Sequence, residues 1–169
     1  MRAVNVWRTG ANVMANTNAV CNSFKAELML GAHQLGAVTI VSRTSLTAPT
    51  VDVIKAALFL ASATINASTT VYAVTGEVAN SGTYAAGGAT VTNATAPTND
   101  TVAGYWTPSA SLAWTGVTAT AFDSVLFYNF TQGLRSIANY TFGSQTVVAG
   151  NITLSMPTNN STTGLLRIA

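Results

Sequence analysis

Phe122-Asp123-Ser124-Val125-Leu126-Phe127-Tyr128-Asn129-Phe130 is the stretch on which the fold turns. Alternation divides it into Phe122, Leu126, Tyr128 and Phe130 on one face and Val125 and Phe127 on the other, the period of a β-strand. Thr131-Gln132-Gly133 then reads as a hairpin loop, and residues 135–142 return as the partner strand. The spacing predicts that Phe122 to Tyr128 and Ile137 to Phe142 pair antiparallel in the core.

Working outward, Gly143 and Ser144 read as a turn into residues 145–149, and residues 151–156 (NITLSM) and 165–168 supply closing strands. Upstream, residues 109–118 (SASLAWTGVT) alternate, with Leu112 and Trp114 on one face. Gly87-Gly88 opens a short strand at 89–93, and residues 69–74 are β-prone. Residues 53–61 (VIKAALFLA) are apolar on both faces, as a central strand is, although the same run also fits a buried helix. Residues 37–42 (AVTIVS) are β-branched and bounded by polar residues. Eight or so short strands at this spacing predict an all-β chain, an antiparallel β-sandwich or jelly roll.

The N-terminal third has a different texture. Phe24, Leu28, Ala32 and Leu35 fall at helical spacing, and Gly31 and Gly36 interrupt and end the run, which predicts one short helix over about 23–34. Residues 1–22 hold Asn5, Asn12, Asn16, Asn18 and Asn22 with no sustained period and read as an extended N-terminal arm. The expected organisation is therefore an arm at 1–22 and a single β-sandwich domain at 23–169. Met1 and Met14 are both workable starts, the latter followed by a small residue.

Composition bounds the function. Only 12 of 169 residues are charged, or 7%, against roughly 25% in ordinary soluble domains. Threonine alone makes up about one residue in six. Such a surface can be buried against a partner without desolvating charge. Acid–base, nucleophilic and metal chemistry need ionisable or coordinating groups, and few are present. The seven cations are scattered, which argues against nucleic-acid binding. The densest apolar run, residues 56–61, is far shorter than the roughly 18 residues that span a bilayer. Cys21 is the single cysteine and forms no internal disulfide, in keeping with assembly in a reducing cytoplasm.

No motif points to catalysis. His33 is the single histidine, with no elbow or cysteine partner around it, and reads as a structural or surface residue. Cys21 and His33 lack zinc spacing, and Asp52, Asp100 and Asp123 lack the density of a calcium loop. Glu27 and Glu77 could in principle form a hydrolase pair, and chance placement explains them equally well. Neither a cofactor nor a metal is expected. Tyr105-Trp106-Thr107-Pro108 comes after a polar loop, and large aromatics are enriched at interfaces. Trp7, Tyr105, Trp106 and Pro108 are accordingly the candidate interface residues, with a core-capping role as the alternative for Trp106.

Several stretches occur in a familiar order. Ser23-Phe24-Lys25 is followed by Ile54-Lys55-Ala56-Ala57-Leu58-Phe59-Leu60, Thr75-Gly76-Glu77-Val78 and Thr83-Tyr84-Ala85-Ala86-Gly87-Gly88. Phe122 to Asn129, Tyr140-Thr141-Phe142-Gly143-Ser144 and the terminal Gly164-Leu165-Leu166-Arg167-Ile168-Ala169 complete the series. From Ala15 to Ala169 the chain resembles a family of small, β-rich virion structural proteins of tailed bacteriophages. The resemblance implies a particle component without enzymatic role. Membership of the decorating class would imply a jelly-roll body on the capsid exterior, bound to the major capsid protein and to copies of itself as a dimer or trimer. The expected function is thus a capsid cement protein, assembled in the host cytoplasm. The alternative is a tail or fibre component that binds a host-surface receptor, with Asp100, Tyr105 and Trp106 as a carbohydrate-type site.

Overall fold

The structure, a computed structural model, describes residues 29–30, 52–92 and 95–169. Two antiparallel sheets organise them in a sandwich-like β architecture. The larger is built from β1 (Ile54–Leu60), β2 (Ala89–Thr90), β5 (Leu112–Asn129) and β6 (Arg135–Leu154), in the order β2-β1-β5-β6. The smaller contains β3 (Thr98–Asn99), β4 (Gly104–Trp106) and β7 (Leu166–Ile168), in the order β3-β4-β7. Met29 and Leu30 are helical, and the rest of the expected 23–34 helix lies outside the described residues, as do the arm at 1–22 and the strand at 37–42.

β1 is a central strand, as its two-sided apolarity requires. Ile54, Ala56 and Leu58 enter one cluster with Val78, Tyr84, Trp114, Val117, Phe122, Val125 and Phe127. Ala57 and Phe59 enter a second cluster with Leu126 and Tyr128 on the opposite face. Trp106 of the small sheet joins the first cluster, so the two sheets share that core. Tyr72, Ala63 and Ile65 cover the second.

The central hairpin pairs as the alternation predicts, with Val125 opposite Tyr140 and Phe127 opposite Ala138, but its return strand lies at the sheet edge and not in the core, with Ile137 and Phe142 exposed. Three details differ from the sequence reading. Residues 109–118 and 122–130 do not form separate strands but run together as the 18-residue β5. Gly143 and Ser144 do not turn the chain; they lie inside the 20-residue β6, where Gly143 takes a φ of 78° at a register shift. Residues 69–74 contribute only an isolated bridge, Val71 to Arg135.

The facing of Phe122 also changes. Phe59 pairs with Ser124 while the next residue, Leu60, pairs with Phe122, which leaves Asp123 as an extra residue. A bulge of this kind reverses the facing of the strand on its far side. Phe122 therefore packs with Val125 and Phe127, whereas Leu126 and Tyr128 keep the other face. Similar shifts along β5 and β6 coincide with left-handed residues: Gly116 (φ 65°), Ala121 (φ 50°), Gly143 (φ 78°) and Ala149 (φ 45°). Long strands in a twisted sheet accumulate such corrections.

Candidate functional site

The aromatic segment singled out in the sequence occupies β4, the middle strand of the small sheet. Trp106 is paired with Leu166 and buried, and its indole N–H donates to the Thr95 carbonyl at 2.9 Å. Pro108 is buried as well, and the hydroxyl of Thr107 beside it accepts the Leu165 N–H at 2.8 Å. Tyr105, half-buried, lies between Thr98 and Arg167. The indole thus serves the core of its own chain and anchors the 95–99 loop. Trp7, His33 and Cys21 lie outside the described residues.

Asp100 is committed within the protein, to its own loop and to Ser161. Its Oδ1 accepts the N–H groups of Val102 (2.7 Å) and Ala103 (3.1 Å). A hydrogen bond from Ser161, with the Val102 N–H next, holds its carboxyl below the usual range. Asp100, Tyr105 and Trp106 are therefore close in sequence but differ in what they offer a ligand: one capped carboxylate, one half-buried phenol and one buried indole.

Sequence reasoning missed a polar network under the 72–88 segment. Glu77 is buried, and its carboxylate accepts the hydroxyls of Tyr72 and Tyr84 (2.7 Å, Tyr84) and the Gly87 N–H at 2.8 Å. The Tyr84 hydroxyl also accepts the Leu58 N–H of β1 at 2.9 Å. Tyr128 of β5 donates to the Gly87 carbonyl at 2.7 Å, and its ring stacks on Tyr72 with centroids 4.4 Å apart. Burial, then Glu77, pushes the Tyr72 and Tyr84 hydroxyls far above their ordinary range and Tyr128 up to about 12. All of these groups hold a loop to the sheet. Nothing in their spacing announces this, because Tyr72, Glu77, Tyr84 and Tyr128 meet only through the fold. Glu27 lies outside the described residues, and no group of three or more His, Cys, Asp or Glu comes together among the described residues.

The remaining feature is β6. It is the outermost strand of its sheet, and not one of its twenty residues is fully buried. Beside it, Leu58, Phe122, Phe142, Val147, Ile152 and Leu154 line an open groove of about 380 Å³ with no charged residue in its walls. Val148, Phe142 and Ile137 present apolar side chains to solvent along the strand. Compared with known protein families, curated proteins and solved structures, the chain matches none.

Proposed function

We propose that the protein is a structural component of a tailed-bacteriophage virion, a cement protein on the capsid exterior that clamps neighbouring major capsid subunits. The reading assigns it no catalytic role. The observation that carries it is the pairing of a charge-poor sequence with a long, incompletely covered strand, β6, which carries no charge after Arg135. A free monomer ordinarily keeps soluble through a mixed charged surface. A subunit whose surface is covered in an assembly needs no such surface, and neutral hydroxyls, amides and methyls cost little to bury. The sandwich-like body supports a compact jelly-roll module, and the family resemblance supports the particle context. A receptor-binding tail component draws no comparable support, since Trp106 is buried and Asp100 is capped within its loop.

Copy number tests the reading. In purified virions the protein should appear in stained gels at an abundance comparable to the major capsid protein. A trace abundance typical of tail-tip components, or absence from the particle, would overturn the cement assignment.

A further inference from the structure

The outer edge of β6 is covered at only one end. The Tyr72 N–H donates to the Leu134 carbonyl at 2.8 Å, and the Ser136 N–H donates to the Thr70 carbonyl at 3.0 Å. From there to Leu154, the described residues supply no backbone partner on that side. Unpaired edges are templates for strand addition, and proteins commonly block them with charge, proline or short length. Residues 136–154 contain no Asp, Glu, Lys, Arg or Pro. Among the described residues the bulges at Gly143 and Ala149 are the blunting devices, and they leave regular stretches between and after them.

We infer that residues 144–154 of β6 pair antiparallel with the same residues of a second copy, across a two-fold axis near Ala149. Three features favour a second copy as the occupant. An antiparallel strand is self-complementary about a two-fold, so one surface serves both partners. Like charges never face each other across this axis, because the segment has none. The side chain beside the axis also suits a dry contact, with Val148 74% exposed. A charged partner would find no complementary group along this edge. The inference deepens the self-association in the proposed reading and selects a dimer over a trimer. Its test uses the isolated full chain, so its failure leaves the capsid reading to the copy-number experiment.

Sedimentation over a wide concentration range should show a monomer–dimer equilibrium for the full chain. Val148→Arg sets two guanidinium groups close to the axis and should weaken association by about a hundredfold or more, since opposed like charges are strongly unfavourable. Val102→Arg, at another exposed valine in the loop before β4, should leave the dimer intact. Hydrogen exchange on the unmodified chain supplies the second readout: amides in 144–154 should gain protection as concentration rises. A monomer at all concentrations, a trimer, or a dimer indifferent to Val148→Arg would each overturn the inference. Concentration-independent protection of these amides in a monomer would instead assign the edge to another segment of the same chain, such as 37–42, and would equally overturn it.

Discussion

β1 and β6 flank the same strand, β5, yet they meet opposite fates. Five of the seven β1 residues are fully buried, and none of the twenty in β6 is. Both sequences are poor in charge, so hydrophobicity alone does not separate them. The difference lies in what covers each strand. β1 is paired on its far side by β2 and roofed by the segment that Glu77, Tyr72 and Tyr84 tie down. Beyond Ser136, β6 has no strand on its far side among the described residues, and only Asn139 and Tyr140 reach the covering loops, through the Ile65 and Leu165 carbonyls. In a chain with few charges, burial is decided by topology, and the strand left uncovered becomes the surface available for association.

The largest expected effects come from removing what β1 and β5 share. Phe127 is 2% exposed and packs edge-on against Tyr140, with centroids 5.9 Å apart. Phe127→Ala should cost roughly 3–5 kcal/mol in urea unfolding. Phe142→Ala, at a half-exposed β6 position, should cost about 1 kcal/mol, chiefly its edge contact with Phe122. Equal costs at the two sites would erase the contrast between the strands.

Gly88 tests the cover itself. It has a φ of +65°, and a Cβ there would lie 1.9 Å from the Ala56 carbonyl of β1. Gly88→Ala therefore combines a left-handed backbone with a clash against main chain that cannot rotate away. We expect a loss near the upper end for single substitutions, about 3 kcal/mol, with the β1 amides losing exchange protection. A loss below about 0.5 kcal/mol, the range of ordinary surface substitutions, would mean that β2 does not depend on this close approach.

Glu77→Gln keeps the shape but replaces one acceptor oxygen by an NH₂ donor facing a tyrosine hydroxyl. Hydrogen bonds to a buried charged group contribute about 1.5–3 kcal/mol, and a thermal or urea midpoint should register a loss of that order. An unchanged midpoint would remove the network from the reasons why β1 is covered.

The smallest effect belongs to β6. Ala149 has a φ of 45°, a conformation that costs alanine roughly 1–2 kcal/mol and glycine almost nothing. Glycine's greater freedom in the unfolded chain offsets roughly 0.4–1 kcal/mol of that gain. Ala149→Gly should therefore be neutral to slightly stabilising. A clear destabilisation would argue that the bulge is held by side-chain packing and not by backbone geometry.

Much of this fold was legible in the sequence, and the misses have definite causes. Sequence pattern located β1, the 122–142 hairpin and β7, whereas the closing strand expected at 151–156 is the end of β6 and not a separate element. Facing failed at Phe122, since a bulge at Asp123 shifts the phase and leaves no trace in composition. Gly143 was readable as a glycine with a special backbone, but the same left-handed φ serves a turn and a bulge equally well. β3 and β4, of two and three residues, are too short to carry a period. Of the candidate interface residues, Trp106 and Pro108 lie within the core or its rim, Tyr105 is half-buried, and Trp7 lies outside the described residues. The exposed edge of β6 was not legible either, because strand order is a property of the whole sheet.

Attachment through a neutral surface is the central claim, and salt is its direct probe. Raising ionic strength from about 0.1 M to 1 M shortens the Debye length from roughly 10 Å to 3 Å, which weakens exposed ion pairs and leaves apolar burial and backbone pairing in place. Purified virions washed across that range should retain this protein in constant ratio to the major capsid protein. Release into the supernatant as salt rises would contradict the claim, because so few charges would then have to be carrying the attachment.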